Sequence, residues 1–398
     1  MQNVTLTTSR PRALEFGIYR DGDNNLDASQ SLTIAQALRS SETDSAVAYT
    51  VEDTTGLKID DGDLVEGKKR TDTFTIADGR IGNAQIGKAR NMASESNLAT
   101  FVAQTLDNAE ASGAKQTWID LVDHGGGDGG GLETHTGAVM SMPDIARAIA
   151  DGVALHAKEH PEDGSRSIDG VVANQCLMST MGFADALSRA GVKYLAASPE
   201  TMVSPGVPTG VADVIARDAK DPGAMARGVV DTAMQAGTAA AFDVLDLSPA
   251  KVTDAERAIA TLNTRIAADT TDRDAIRRDV ASVRGMVRFQ AATPDMPWHS
   301  DRPAIALYDA FAGDASLPQD LRDAARAAAE ATGALVLAHK ESRGFRFFDG
   351  SDYRDAAGPT VHAPLTKDQI DPWAPRVSET NNAFYDAVRQ GDFVHAIA

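Results

Sequence analysis

The sequence predicts an α/β fold: a mostly parallel sheet with helices on both faces, a helical insertion and a mixed C-terminal region. Short apolar runs alternate with helix-like segments through the first half of the chain, and this alternation is typical of parallel sheets. From about residue 212, alanine-rich helical segments dominate instead. The 398 residues exceed the length of one ordinary domain, so additions to a core are expected.

The predicted elements follow from hydrophobic periodicity and turn residues. Five runs are predicted strands, namely residues 13–19 (ALEFGIY), 45–52 (SAVAYTVE), 116–122 (QTWIDLV), 168–174 (IDGVVAN) and 192–198 (VKYLAAS). Residues 71–76 (TDTFTI) are predicted to form part of a hairpin. The predicted helices between the strands span residues 29–39, 94–109, 143–156 and 181–190.

These elements suggest three regions along the chain. Residues 1–211 form the predicted core, and residues 212–332 form a mainly helical region. Residues 333–398 combine apolar runs, glycine and proline turns and a final helix, and we expect this mixed region to pack on the core.

Composition excludes several classes of partner. The formal charge of −19 disfavours nucleic acid and anionic membrane surfaces, so we predict neither as a partner. One cysteine excludes a disulfide within the chain. The first twenty residues lack a basic start followed by an apolar run, which predicts a cytoplasmic protein. An exported protein from which a signal has been trimmed is the alternative.

Two reactive side chains follow predicted strands. His124 comes just after the strand at residues 116–122, and Cys176 just after the strand at residues 168–174. Ligands of parallel α/β sheets bind beyond the carboxyl ends of the strands. If these strands are neighbours, an imidazole and a thiol share one crevice. An imidazole can take the thiol proton and later protonate a leaving amine, which is the chemistry of cysteine peptidases.

A tetrahedral oxyanion in such a reaction needs backbone N–H donors that can come close. Gly125 allows this approach, so the amides of Gly125 and Cys176 are the predicted oxyanion hole. The alternatives are a capping role for His124 and a core thiol for Cys176. His135, near the glycine-rich loop, is the one rival base.

Other motifs do not match a cofactor site. The loop at residues 125–131 (GGGDGGG) lacks the Lys-Ser/Thr of a Walker loop, which argues against a nucleotide-binding regulatory domain. Residues 21–27 (DGDNNLD) resemble the start of a calcium loop, but Leu26 stands where glycine is needed and Leu32 where glutamate is needed. His156 and His160 are four residues apart with no further ligand near them in sequence, so no metal site is predicted.

Several motifs together resemble the clostripain family of cysteine peptidases, in the same clan as caspases, gingipains and legumain. The matching pieces are residues 19–26 (YRDGDNNL), 123–125 (DHG), 176–178 (CLM), 194–201 (YLAASPET) and 306–309 (ALYD). The 52 residues between His124 and Cys176 are similar to the roughly 50 of caspases. The resemblance covers the first half of the chain well and the rest more loosely.

The resemblance implies a caspase-like sandwich, a His124–Cys176 dyad and cleavage of peptides or proteins after a basic P1 residue. The family usually has Asp two positions before the cysteine, at the floor of the S1 pocket, but Asn174 stands there. An amide offers hydrogen bonds without charge. Ser198 and Glu200 are further candidates for lining S1. Asp23 or Glu200 could supply the missing charge, and a preference for a neutral P1 residue is the alternative.

The resemblance also implies maturation by cleavage between the two catalytic strands. Residues 158–167 (KEHPEDGSRS) are polar and contain Lys158 and Arg166, the candidate processing sites; an ordinary loop is the alternative. Some members need Ca²⁺, although the chemistry requires no cofactor. A second reading of the whole chain is a caspase-like peptide-binding or scaffold protein with weak or lost catalysis. The sequence leaves the oligomeric state open.

Overall fold

The computed structural model describes residues 11–60, 63–161, 166–283, 300–342, 357–366 and 382–398, without the side chains of residues 57–66 and 382. Within these ranges one nine-stranded sheet organises the chain, in the order β10-β8-β7-β6-β5-β1-β2-β3-β4. Its strands are β1 Leu14–Asp21, β2 Val47–Asp60, β3 Asp63–Ala77, β4 Arg80–Ile86, β5 Gln116–Val122, β6 Gly170–Asn174, β7 Tyr194–Ala197, β8 Ala241–Asp246 and β10 Val336–Glu341. Two short strands, β9 Asp301–Pro303 and β11 Thr360–His362, pair separately.

The middle of the sheet is parallel and its margins are antiparallel. Strands β2, β1, β5, β6 and β7 run parallel to one another. Strands β3 and β4 extend one margin, and β8 and β10 extend the other, through antiparallel pairs. The prediction of a mostly parallel sheet covered by helices is confirmed.

The helices are capped where the sequence offers caps. Ser141 accepts a hydrogen bond from the Asp144 N–H, and Thr180 accepts one from the Phe183 N–H. Gly113 ends its helix in the left-handed conformation, which glycine adopts without strain. The described helices are α1 Asp27–Gln30, α2 Leu32–Thr43, α3 Glu95–Ser112, α4 Met142–Glu159, α5 Met181–Arg189, α6 Gly210–Asp218, α7 Pro222–Gln235, α8 Pro249–Ala268, α9 Arg273–Ser282, α10 Ala304–Gly313, α11 Gln319–Gly333, α12 Asn382–Val388 and α13 Gln390–Ile397.

Side-chain alternation along the strands builds two cores, one on each face. Trp118 and Val122 of β5 pack with α2, α6 and α7, whereas Ile119 and Leu121 pack with α3, α4 and α5. All four side chains are wholly buried, and burial of each contributes roughly 1.5–3 kcal/mol. The strands that carry the site are therefore fixed from both sides.

The later part of the chain forms a third core of its own. Buried apolar residues of α8 to α13 pack together, with Met181 of α5 joining them to the central sheet. Strand β8 comes from the predicted helical region and β10 from the predicted mixed region, and both complete the central sheet. In the described part of the chain, no helix has both the length and the apolar character of a membrane span.

Candidate active site

Strands β5 and β6 deliver the two reactive side chains to the same edge of the sheet. Val122 pairs with Asn174 in parallel register, so the residues that follow them leave the sheet side by side. Beyond this pair the Gln175 amide donates a hydrogen bond to the His124 carbonyl at 3.1 Å. His124 and Cys176 therefore begin neighbouring loops, as the sequence predicted.

Both loops open into one cavity of about 1250 Å³. His124, Gly125, Asn174 and Cys176 line it, together with the glycine-rich loop that follows His124. Residues 24–28 and the β2–β3 hairpin also line it. Four of the predicted site residues are thus brought together, in a space large enough for a peptide side chain and its flanking backbone.

The thiol of Cys176 is held by the backbone of a single residue. The Met202 N–H donates to Sγ at 3.3 Å, and the thiol donates to the Met202 carbonyl at 3.5 Å. Cys176 is half-buried. Burial raises the pKa of its thiol to about 11, although the Met202 N–H partly opposes the shift. In this arrangement the sulfur is protonated at neutral pH.

The imidazole of His124 is held by a different residue. Its Nε2 lies 2.7 Å from Oδ1 of Asn25, and because an amide oxygen only accepts, Nε2 carries the proton. Burial lowers the pKa of His124, while the charge of Glu133 raises it. Among the described residues no hydrogen bond joins this imidazole to the Cys176 thiol.

Close backbone packing explains the glycine after the histidine. A Cβ atom on Gly125 would lie 2.4 Å from the Cys176 carbonyl oxygen. The bridge between Gly125 and Gly131 uses the amides of Gly126 and Leu132. Within the described ranges the N–H of Gly125 is therefore left unused beside the Cys176 backbone, where the sequence predicts an oxyanion donor.

The side chain of Asn174 is hydrogen-bonded to the backbone. Its amide donates to the Val207 carbonyl at 3.1 Å, and its Oδ1 accepts from the Val207 N–H at 2.7 Å. Only 1% of the residue is exposed. Asn174 therefore ties the segment around Val207 to the end of β6, although it also borders the cavity.

Ser198 and Glu200 are not brought to the cavity wall. Both are buried, and the Ser198 hydroxyl donates to the Glu200 carbonyl at 2.8 Å while accepting from the Glu200 N–H at 3.0 Å. The Glu200 carbonyl also accepts from the Leu177 N–H at 3.0 Å. The two residues support the loop that carries Cys176 from behind, so contact with a substrate would require this turn to open.

An acidic group behind two lining residues of the cavity is already paired. Asp23 forms an ion pair with Lys69, and its Oδ2 lies 2.6 Å from Nδ1 of His135. Lys69 and His135 line the cavity in front of it. The rival base His135 is therefore engaged with the carboxylate of Asp23.

The candidate processing residues lie on either side of a short gap. Lys158 is exposed but belongs to the last turn of α4, because the helix continues to Glu159, beyond the predicted end at residue 156. The Arg166 guanidinium donates to the Ala114 carbonyl at 3.0 Å. Residues 162–165 of this segment lie outside the described residues.

Comparison with known proteins identifies the fold. No protein-family model and no curated protein sequence matches the chain. Among solved structures, an inactive zymogen C11 protease from Parabacteroides distasonis is similar with a TM-score of 0.66 at 14% identity, over 96% of this chain and 99% of that one. A secreted C11 cysteine protease from Bacteroides thetaiotaomicron, bound to an irreversible peptide inhibitor, has a TM-score of 0.64 at 11% identity, over 95% and 99% of the two chains.

The chain has the fold of C11 cysteine proteases. C11 is the clostripain family, so the resemblance carried by the sequence motifs is confirmed at the level of the fold. The agreement extends over nearly the whole chain, and it therefore includes the helical region and the C-terminal strands of the C11 fold.

Two contacts of this site were not predicted from the sequence. Asn25 was interpreted only as part of a turn, yet it holds the imidazole; Met202 carried no signal, yet its backbone holds the thiol. The first of these had a weak indication, since Asn25 lies in one of the matching motifs. The second is a main-chain contact, which any residue type could make.

The acidic turn near the site does not fit Ca²⁺. The Asp27 carboxylate accepts hydrogen bonds from Arg20, Thr55 and the Gly56 amide. The Asp21 carboxylate accepts from the Asp23 N–H. Ca²⁺ needs six to eight oxygen ligands, whereas Asp27 is occupied within the chain and only Oδ2 of Asp21 is left without a hydrogen bond, so the two carboxylates do not make a calcium site.

Proposed function

We propose that this chain is a cysteine endopeptidase in which Cys176 is the nucleophile and His124 the general base. One observation carries the proposal: adjacent parallel strands place the two residues at the rim of the same cavity. A thiol and an imidazole at one sheet edge supply the nucleophile and the base that this chemistry needs.

The proposed reaction follows from the hydrogen bonds. Because Nε2 of His124 donates to Asn25, the lone pair of the neutral ring is on Nδ1. Nδ1 takes the thiol proton as the sulfur of Cys176 attacks the scissile carbonyl carbon. The oxyanion accepts hydrogen bonds from the amides of Gly125 and Cys176. Collapse expels the amine, which takes the proton from Nδ1, and water then hydrolyses the thioester.

The described arrangement supports a latent form of this site. The thiol is bonded to Met202, and among the described residues no hydrogen bond joins it to the His124 imidazole, so this contact must form before turnover. One of the similar structures is itself an inactive zymogen. We propose that cleavage after Lys158, in the last turn of α4, or after Arg166, between α4 and β6, frees the loop around Met202.

The proposed substrates are peptides or proteins with a basic P1 residue. A similar structure carries a peptide inhibitor. Asn174 supplies no charge, and its amide is occupied by Val207. Asp23 is the better candidate for a charge, because Lys69 already places a cation against it from the cavity side. A basic P1 side chain would take the place of the Lys69 ammonium.

A biotinylated Arg chloromethyl ketone peptide tests the enzyme proposal. Cys176 is the one cysteine of the chain, so every thiol adduct reports on it. Wild-type protein should be labelled and should cleave a positional-scanning peptide library, with and without Ca²⁺. Cys176→Ala should do neither, and His124→Ala should lose cleavage by about 10²–10⁴-fold. A wild type that neither labels nor cleaves, even after fragmentation by trypsin, would overturn the proposal.

A peptide-binding protein without turnover is the second candidate. The raised pKa of the Cys176 thiol favours it, because a protonated thiol is a poor nucleophile. Calorimetry with a peptide aldehyde separates the two: saturable binding by a wild type that cleaves no library member supports the binding protein.

A further inference from the structure

The glycine-rich loop at residues 125–131 has a single side chain that can hold it in place. Its other six residues are glycine, and the exception is Asp128. Glycine loses more conformational freedom on ordering than any other residue. The loop begins beside His124 and contains the proposed oxyanion donor Gly125, so an anchor at Asp128 would bear on the position of both groups.

The carboxyl group of Asp128 is buried and hydrogen-bonded by two side chains. Only 4% of the residue is exposed. The hydroxyl of Tyr385, on α12, donates to Oδ2 of Asp128 at 3.1 Å. The side chain of Thr180 makes a second hydrogen bond to the same carboxyl group. Asp128 therefore connects the glycine-rich loop to two other elements of the fold.

These two elements are the loop that carries Cys176 and the C-terminal helices. Thr180 lies four residues after Cys176 and accepts the capping hydrogen bond at the start of α5. Tyr385 packs against the third core and lies 257 residues after Asp128. One carboxyl group thus joins the loop after the base, the loop of the nucleophile and the last helices of the chain.

The residue before Asp128 shows that the loop is seated closely between the same two parts of the protein. Gly127 has a left-handed φ of 58°. A Cβ atom on it would lie 3.2 Å from Oδ2 of Asp301, in β9, and 3.3 Å from the carbonyl oxygen of Leu177. Leu177 directly follows Cys176. Residues 127 and 128 therefore both contact the later part of the chain and the loop that carries the nucleophile.

We propose that Asp128 is a positioning residue through which Tyr385 and Thr180 hold the glycine-rich loop in place for catalysis. The inference rests on the proposed function, because the groups that it positions are the base His124 and the oxyanion donor Gly125. It assigns a role to the C-terminal helices, since α12 acts on the reaction through this anchor.

The anchor is a neutral carboxyl group at pH 7. Burial raises the pKa of Asp128 to about 8, and a charge on Asp301 acts in the same direction. The hydrogen bonds of Tyr385 and Thr180 oppose this shift without cancelling it. The proton is held only while the loop is docked, since an exposed Asp has its ordinary pKa of about 3.9. Docking of the loop should therefore weaken as pH rises from about 4 to about 8.

Four ionisable groups from the later part of the chain face this carboxyl group directly or through Asp301. Burial raises the pKa of Asp301 and of Tyr385 well above their usual values, although Arg302 opposes the shift at Asp301. Burial lowers the pKa of His362, whose Nδ1 lies 3.1 Å from Oδ1 of Asp301. Near neutral pH, Tyr385 and His362 are uncharged and Arg302 is charged. Asp301 alone among the four can add to the pH dependence, and it acts in the same direction.

Hydrogen exchange measures how firmly the loop is held, independently of turnover. Full-length Cys176→Ala protein is the parent, and protection factors of the amides at residues 125–131 are read by mass spectrometry after peptic digestion. Tyr385→Phe, which removes one hydrogen bond, should lower them about fivefold, and Asp128→Ala should lower them at least about tenfold. Tyr308→Phe, at a buried tyrosine of α10 in the third core, is the control and should leave them unchanged.

Asp128→Asn distinguishes a neutral anchor from a charged one. The amide keeps the shape of a protonated carboxyl group and can still accept a hydrogen bond from Tyr385. It has no proton to release, so the ratio of its protection factor to that of the parent should rise as pH increases from 5 to 8. A constant ratio across this range would contradict the proposed neutral anchor.

Protein that retains Cys176 tests the effect on catalysis. Because the loop carries the oxyanion donor, Asp128→Ala should lower kcat about tenfold and Tyr385→Phe about threefold, with little change in KM. Asp128→Asn should restore most of the rate. A mere loss of global stability would not divide kcat from KM in this way.

Two results would overturn the proposal. One is unchanged protection of the loop in both Tyr385→Phe and Asp128→Ala, and the other is an unchanged kcat in variants whose loop has lost protection. A wild type that cleaves no peptide would instead remove the proposed function, and the exchange measurements would still decide whether Asp128 anchors the loop.

Discussion

Nε2 of His124 lies 2.7 Å from Oδ1 of Asn25, so an amide side chain fixes the imidazole at the cavity rim. This contact does for His124 what a carboxylate does in a catalytic triad: it selects the tautomer and the ring orientation. An amide does so without charge, and it therefore leaves the pKa of the imidazole low enough for a neutral base at pH 7. Asn25 is a positioning residue in the proposed mechanism.

Two substitutions of Asn25 should separate the effect of ring orientation on activity from the effect of a charge beside the His124 imidazole. We expect Asn25→Ala to lower kcat/KM about tenfold, or about 1.4 kcal/mol in the transition state, because the ring loses its partner. Asn25→Asp keeps an acceptor and adds a charge that favours the imidazolium. It should keep most of the activity and move the acid limb of the pH–rate profile upward. Equal profiles for wild type and Asn25→Asp would argue against a contact with the catalytic base.

The rate of alkylation of Cys176 should depend steeply on pH. With a thiol pKa of about 11, roughly one thiol in three thousand is ionised at pH 7.5. The thiolate is the species that reacts, so the logarithm of the iodoacetamide rate should rise by about one per pH unit from pH 6 to about pH 10. Mass spectrometry of the intact chain measures it. A plateau near pH 7 would indicate a preformed thiolate–imidazolium pair instead.

Two glycines of one loop offer a matched comparison. A Cβ atom on Gly125 would lie 2.4 Å from the Cys176 carbonyl, whereas one on Gly129 would meet nothing within 4 Å. Gly125→Ala should therefore push the two catalytic loops apart and lower kcat by at least about 10²-fold. Gly129→Ala should keep the wild-type rate and Tm. If both variants behave alike, close packing at Gly125 is not needed for catalysis.

The sequence predicted the elements that carry the reactive pair because their signals were local. The apolar run at residues 116–122 became β5 with the same bounds, and the polar residues after it marked the edge of the sheet. The helix after Cys176 began where Thr180 offered a cap. Hydrophobic period and capping are properties of neighbouring residues, and no tertiary contact was needed to read them.

Other features depended on partners that are distant in the chain. The six residues of β8 follow an alanine-rich stretch, and their pairing with β7 and β10 decides that they form a strand. Asn25 and His124 are separated by 99 positions. Asp107 lies on α3 and meets His156 and His160 at the end of α4, so this partner was invisible from the spacing of the two histidines alone.

Removal of the Lys69 ammonium should change substrate preference if Asp23 binds the basic P1 side chain. Lys69→Met keeps the length of the side chain but frees the Asp23 carboxylate. We expect kcat/KM for Arg peptides to rise about threefold to tenfold relative to Ala peptides, because the incoming cation no longer competes with an internal one. Lys68→Met, at the exposed neighbouring position, is the control and should leave the ratio unchanged.

An unchanged Arg-to-Ala ratio in Lys69→Met would remove Asp23 from the S1 pocket. The amide of Asn174 would then be the nearest remaining candidate, and a neutral P1 residue would be expected. A fall in the ratio would indicate that Lys69 itself contacts the substrate.

A carboxylate at Asn174 should destabilise the fold rather than restore a basic S1 pocket. The amide of Asn174 donates to the Val207 carbonyl, and a carboxylate oxygen there would repel it. Asp120, on β5, lies within hydrogen-bond reach of Asn174, and burial raises the pKa of Asp120 well above its usual value. Asn174→Asp therefore places two buried carboxyl groups together, and at least one of them must stay protonated.

These protons make the unfolding free energy of Asn174→Asp fall as pH rises. A carboxyl whose pKa is raised in the folded state holds a proton that the unfolded chain releases above about pH 4, so stability is lost as pH rises. Wild type has one such group here and Asn174→Asp has two. The difference in unfolding free energy should grow from pH 4 upward and reach about 2 kcal/mol near pH 7.

Asn91→Asp, where an exposed side chain caps the Ala93 N–H, should show no such divergence. Urea unfolding at several pH values, with each variant carrying Cys176→Ala, measures this difference in unfolding free energy. If the unfolding free energies of wild type and Asn174→Asp vary with pH in parallel, Asn174 and Asp120 are not coupled.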